Sequence, residues 1–168
     1  MADDQQPVPS LHVRPLEPRD AEAVASWRYQ GPWSIYDPRP GDEPLSAAAG
    51  YEAIVDDAGS FVGYLCVGQE ARVPGLAEAD GTIDIGVGMR PDLVGRGLGH
   101  DFGAVALDHI RDRYGDRPLR AVVQDWNERS LRLARGLGFR DAGTHQCVQD
   151  GKQVSYVLLV RPAEAARR

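Results

Sequence analysis

The sequence predicts one α/β (α+β) domain, a mixed sheet flanked by helices, and three observations point to it. Period-2 alternation of apolar and polar residues, the mark of strands, occurs both before and after two segments of helical periodicity. The central strand pattern, residues 82–90, passes through Pro91 and three glycines into the apolar-periodic run Leu98 to Tyr114, and a further strand follows at Leu119 to Val123. A strand, a crossover helix and a second strand make a parallel pair. At 168 residues the chain is one domain by length and can bury a two-layer core. Residues 1–10 are polar and hold two prolines, so a flexible N-terminus is expected, then a domain over 11–161 and a flexible tail over 162–168.

In chain order, Leu11 to Leu16 alternates like a short strand. Pro18-Arg19-Asp20 opens a helix from Ala21 to Tyr29, whose Ala21, Val24, Ala25 and Trp27 share one face before Gly31-Pro32 stops it. Residues 27–37 then hold two of the three Trp and two of the six Tyr. Such rings either cap one end of the core or wall a pocket in which Asp37 and the ring faces receive a cation. Residues 39–49 read as a loop, and Tyr51 to Val55 and Phe61 to Gly68 as a hairpin about the turn 56–60. Residues 71–81 lead to the central strand. Beyond Leu119 to Val123, a helix from Asn127 to Leu137 is stopped by Gly138, and strands near 140–148 and 152–160 close the chain around a turn at 149–151.

The central strand places Ile83, Ile85, Val87 and Met89 on one face and Thr82, Asp84, Gly86 and Gly88 on the other. Glycines inside a strand mark a bulge or a place where something approaches the backbone closely. The glycine-rich turn beyond Pro91 presents free N–H groups and the positive end of a helix dipole, which suit a phosphate, although a flexible turn has the same composition. A mononucleotide P-loop requires Lys and Ser/Thr after its last glycine, and Leu98 follows Gly97 here. A dinucleotide fold wants an early strand and an acidic ribose ligand, which a mid-chain strand fits poorly.

Composition narrows the function. Net charge is −6, which argues against a nucleic-acid surface, yet residues 90–140 hold ten Arg against seven Asp or Glu, so the half with the proposed phosphate site is cationic. The acidic remainder suits a cationic amine, or serves solubility alone. No apolar run approaches a membrane span and the acidic N-terminus is unlike a signal peptide, so a cytoplasmic protein with no membrane contact is expected. Cys66 and Cys147 sit in strand-like apolar runs and read as core residues, and no His/Cys/Asp set has metal spacing.

Two motifs resemble the GNAT superfamily of N-acetyltransferases. Residues 91–99, Pro-Asp-Leu-Val-Gly-Arg-Gly-Leu-Gly, are similar to its pyrophosphate loop, Arg/Gln-x-x-Gly-x-Gly/Ala, and about thirty residues on, residues 127–139, from Asn127 through Ser130 to Gly138-Phe139, resemble its second signature. The resemblance spans roughly residues 11–160 and implies a central splayed mixed sheet, in which strands 82–90 and 119–124 part in a V that takes the pantetheine arm of acetyl-CoA, with Gly86 and Gly88 suited to that place. It implies cofactor contacts from Val87, Gly88, Met89, Val94, Gly95, Arg96, Gly97, Leu98, Gly99, His100, Asn127 and Ser130. Val94 stands where the loop usually has Arg or Gln, which removes one side-chain contact but none from the backbone. Ala134 stands where the family has its Tyr, so the customary general acid is absent.

Acyl transfer from a thioester to an amine needs a deprotonated amine, a donor for the oxygen that becomes negative and a proton for the departing thiolate. The resemblance implies that Gly88 and Met89 supply the oxygen's N–H donors. Asp84, a carboxylate on the open face of the central strand, is the candidate base, where burial would make it stronger, or else it hydrogen-bonds a neighbouring loop. Trp33, Tyr36 and Asp37 are the candidate acceptor wall. The expected activity is acetyl transfer to a small-molecule or peptide amine by direct attack, in a chain for which a homodimer is one arrangement. A non-catalytic acetyl-CoA sensor and a nucleotide-binding protein unrelated to CoA are the alternatives.

Overall fold

A computed structural model describes residues 10–167, with strands β1 (Leu11–Pro15), β2 (Tyr51–Asp56), β3 (Phe61–Val67), β4 (Ile83–Met89), β5 (Leu119–Gln124), β6 (Arg140–Gln149) and β7 (Lys152–Arg161). The α-helices are α1 (Pro18–Ala25), α2 (Gly99–Tyr114) and α3 (Glu128–Gly136). The strands form one sheet in the order β1-β2-β3-β4-β5-β7-β6, in which only β4 and β5 pair in parallel.

The pleat sorts the residues onto two faces. Ile54, Leu65 and Ile85 join Phe102, Ala106 and Ile110 of α2, Leu131 of α3, and Leu119 and Leu159 in the main core. The register pairs Ala53 with Tyr64 and Tyr64 with Gly88, which places these three on the opposite face. There Trp27 stacks on Phe61 and Tyr64 at 5.7 and 5.9 Å between centroids. α2 and α3 touch closely, since a Cβ on Gly103 would stand 2.4 Å from Leu137 Cδ1.

α1 starts at Pro18 and is shorter than its periodicity suggests. The Ser26 hydroxyl turns back onto the Ala23 carbonyl at 2.7 Å, and the chain leaves the helix so that Trp27 reaches its stack. The helix start is pinned by Asp20, 2 % exposed, which accepts from the Glu17 N–H at 2.8 Å and from Arg14 at 2.6 and 2.9 Å. Residues 1–9 of the expected flexible N-terminus lie outside the described residues. Toward the other end, Glu164–Arg167 form a 3₁₀ turn. The N–H groups of Glu164 and Ala165 donate to Asp116 at 2.8 and 3.0 Å, and Arg111 holds the Glu164 carboxylate at 2.8 Å. Among the described residues no helix is long and apolar enough to cross a membrane.

Candidate active site

β4 and β5 part almost as soon as they meet. Their pairing consists of Ile83 with Leu119 and Asp84 with Arg120, after which β5 pairs only with β7. Backbone donors alternate sides along a strand. The Ile83 N–H reaches the Pro118 carbonyl on the β5 side at 2.9 Å, and the Arg90 N–H reaches the Val62 carbonyl on the β3 side at 2.8 Å. The N–H groups of Val87 and Met89 therefore point toward β5, into the space it has vacated. Val87 is 43 % exposed there, although it is a central-strand residue.

The splay opens into a cavity of about 1680 Å³, lined by Ile85 to Met89 on one side and Ala121 to Val123 on the other. Val94, Gly95, Gly97 and Gly99 close one part of it. Gly95 and Gly97 both have φ of 78°, a left-handed conformation that favours glycine, and nothing stands within 4 Å of where their Cβ atoms would be. The loop thus curls around open space. α2 follows with no side-chain cap, so the N–H groups of Gly99, His100 and Asp101 have no partner within the helix. Uncapped donors, the helix dipole and an open cradle together fit a phosphate group.

α3 is built the other way. Asn127, 4 % exposed, caps it by accepting from the Ser130 N–H at 3.2 Å. The same Oδ1 accepts from Trp33 Nε1 at 3.2 Å, and Nδ2 donates to the Tyr36 hydroxyl at 3.1 Å. Trp33 and Tyr36 belong to a 3₁₀ segment, Gly31–Tyr36, within the strap of chain between α1 and β2. Further ties fix the strap. The Tyr29 hydroxyl donates to the Met89 carbonyl at 2.6 Å, Asp37 accepts from the Tyr29 N–H at 2.7 Å, and Arg39 pairs with Asp150 in the β6–β7 turn at 2.6 Å. Burial pushes the Tyr29 and Tyr36 phenols up, the latter against a lowering hydrogen bond from Asn127, and carries Tyr64 to about 12, so all three are protonated donors at neutral pH.

Residues 10–140 match the family model described as the acetyltransferase (GNAT) domain. The chain belongs to the GNAT acetyltransferase family. A mycothiol acetyltransferase of Salinispora tropica is 32% identical over 133 residues, which is 79% of this chain and 42% of that protein. The chain thus spans about two fifths of the length of the first curated relatives that it matches. Among solved structures, a GNAT-family acetyltransferase of Bacillus anthracis superposes with a TM-score of 0.70 at 16% identity, over 91% of this chain and 95% of that one. YncA of Salmonella typhimurium, solved with acetyl-CoA, superposes with a TM-score of 0.61 at 19% identity, over 91% and 94%. At such identities these two neighbours show the fold alone.

Within this GNAT domain the cavity brings together the backbone of Val87, Gly88 and Met89, the loop residues Val94, Gly95, Gly97 and Gly99, and Asn127, Ser130, Trp33, Tyr36 and Asp37. Arg96, Leu98 and His100 do not line it, and the Arg96 and His100 side chains are exposed. Ala134 does line it, without a hydroxyl to offer.

Three expectations need correction. Asp84 is not on an open face. It is 4 % exposed, outside the cavity lining, and its carboxylate is held by Arg120 at 2.6 and 3.1 Å and by Arg72 at 3.1 Å. A carboxylate so placed cannot reach an amine in the gap. The central-strand glycines make room for protein. A Cβ on Gly88 would stand 2.4 Å from the Tyr64 ring, and one on Gly86 3.1 Å from Cys66 Sγ. Finally, Gly88 has the same parity as Arg90, so its N–H turns to β3 and the donors facing the gap are those of Val87 and Met89. The sequence reading missed Tyr29 and Arg129, which also lines the cavity. The aromatic cluster at 27–37 marked Tyr29's neighbourhood, but not which ring would reach β4.

Proposed function

We propose that this chain is an acetyl-CoA-dependent N-acetyltransferase that accepts a small-molecule or peptide amine by direct attack on the thioester. The observation that supports it most is the unpaired run of β4, whose Val87 and Met89 N–H groups would be spent on hydrogen bonds in a regular sheet and here face a cavity that ends at an uncapped helix N-terminus. Acetyl-CoA supplies the activated acetyl group. The amides of residues 95–101 bind its phosphates, and Asn127 and Ser130 line the course of its arm. One of the two β4 donors meets the carbonyl oxygen as it becomes negative, a kind of contact whose removal typically costs about 10²–10³ in rate. The Tyr36 phenol, protonated and lining the cavity, is the group that replaces the missing Tyr at Ala134, since the Tyr29 hydrogen is held by the Met89 carbonyl. Neither Cys66 nor Cys147 lines the cavity, and burial carries the Cys66 thiol to about 12, which favours direct attack over a covalent acyl-enzyme.

Asp84 lies outside the cavity, whereas the carboxylates of Glu17, Glu22, Asp37 and Glu43 line it, so the amine gives up its proton to one of these or to water. The test is release of free thiol from acetyl-CoA in the presence of polyamines, amino acids, peptides and aminoglycosides, with parallel calorimetry against CoA, ATP and NAD. Amine-dependent thiol release is expected. CoA binding without turnover would make the protein a sensor, which the alanine at 134 would suit, and preference for ATP or NAD would overturn the reading.

A further inference from the structure

Three arginines line the cavity, and they are committed differently. Arg39 is paired with Asp150, and exposed Arg28 donates to the carbonyls of Ala25 and Trp27 at 3.2 and 2.6 Å. Arg129 is exposed like Arg28, but its guanidinium lies over the Trp33 ring, 4.2 Å from its centroid, and among the described residues it has no carboxylate or carbonyl partner.

The shelf beneath it is fixed. Trp33 Nε1 donates to Asn127, itself the cap of α3, and the Trp33 ring meets Trp126 edge-on at 5.9 Å. An aromatic face fixes a guanidinium through its plane and leaves the N–H groups at its edge free, and that edge matches the two oxygens of a carboxylate. A flexible surface arginine loses much rotamer freedom when it binds an anion, whereas one already stacked loses less. We propose that Arg129, stacked on Trp33, is the carboxylate-binding residue of the acceptor pocket, so that the preferred acceptors are amines that also carry a carboxylate. This rests on the acetyltransferase reading above and adds a substrate class to it. The acetyl group still passes from the thioester sulfur to the amine nitrogen. The thiol leaves with one proton, the amide keeps the acetyl group, and the acceptor's carboxylate is unchanged.

The test compares α-amino acids with their carboxamides and with the amines lacking the carboxyl group, by thiol release, alongside calorimetric affinity for CoA. The wild type is expected to favour the acid over its carboxamide by about tenfold or more in kcat/KM, and Arg129→Ala to collapse that ratio while CoA affinity stays within about twofold. Arg129→Lys keeps the charge but not the fork and should restore only part of the preference. Arg129→Gln, closer in size, repeats the test if the alanine variant folds poorly. A ratio near one in the wild type, or an unchanged ratio in the variants, overturns the proposal. So does equal loss on all three acceptors with weakened CoA binding, which would give the guanidinium to a CoA phosphate. Turnover of carboxamides and amines without carboxylate preference removes this assignment and leaves the acetyltransferase standing, whereas a wild type that binds no CoA removes both.

Discussion

Asp84 shows how a residue that looks catalytic in a strand pattern becomes a fastener in three dimensions. It pairs in register with Arg120 on the last rung that β4 and β5 share, and the salt bridge between them sits at the vertex of the splay. Its other oxygen takes Arg72. Replacing it leaves two largely buried guanidiniums short of a counter-charge, so Asp84→Asn is expected to lose roughly 3 kcal/mol of stability. The acid limb of its pH–rate profile should persist, moving with the ionisation of whichever amine is used; disappearance of that limb would restore Asp84 as the base. Asn127 carries a double load as cap of α3 and anchor of Trp33 and Tyr36. Loss of the cap alone costs about 1 kcal/mol. Asn127→Ala should therefore lower the melting temperature, weaken CoA binding in calorimetry and raise KM for the amine. A fall in stability with both affinities intact would reduce Asn127 to a cap.

At the scale of elements, two helix N-termini contrast, one capped and one open. α3 satisfies its first turn with Asn127, while α2 leaves its first N–H groups open behind a loop with two left-handed glycines. Gly97→Asp forces a Cβ into a conformation that L residues rarely adopt and sets a carboxylate in the cradle, so severe loss of CoA affinity with a much smaller loss of stability is expected by calorimetry and thermal melting. Unchanged affinity would remove the phosphate assignment. Gly99 differs, because its Cβ would meet Leu133 at 3.4 Å, and Gly99→Asp should disturb the contact between α2 and α3 as well. The glycine spacing made the loop legible in the sequence, because φ above zero is a local property of the chain. The end of α1 was not legible, because Trp27 leaves the helix for partners on β3, far away in sequence.

Across the whole molecule, acid stability should report on how α1 and the strap are held. Burial pushes the Asp20 carboxyl up, but hydrogen bonds from Arg14 and the Glu17 N–H outweigh it and hold the group below its ordinary value. A lowered folded value means that the stabilisation is present above the unfolded carboxyl range, near about pH 4, and is lost as pH falls through the folded value. Urea midpoints should thus be nearly level in their Asp20 contribution at neutral pH and decline below about pH 4, and Asp20→Asn should flatten the decline by roughly one proton's worth of slope. An identical slope in the variant would show that Asp20 does not govern it. The similar shifts at Asp92 and Asp141 are on exposed ion pairs, which contribute little.

The sequence by itself determined what depends on near neighbours and on pattern: the strands and helices, the parallel pairing of β4 with β5 across α2, the glycine loop, Asn127 as a helix start, and the two motifs that resemble the family. Tertiary structure alone decided what depends on partners far apart in the chain. The parity of hydrogen bonding along β4 turned Val87 and Met89, rather than Gly88, toward the gap. The register opposite β5 gave Asp84 to Arg120. Tyr64 filled the space that Gly88 leaves, and the return of the strap placed Tyr29 on Met89 and Trp33 beneath Arg129. Local pattern encodes which way a side chain leaves its strand or helix, and only the packed fold decides what it meets there.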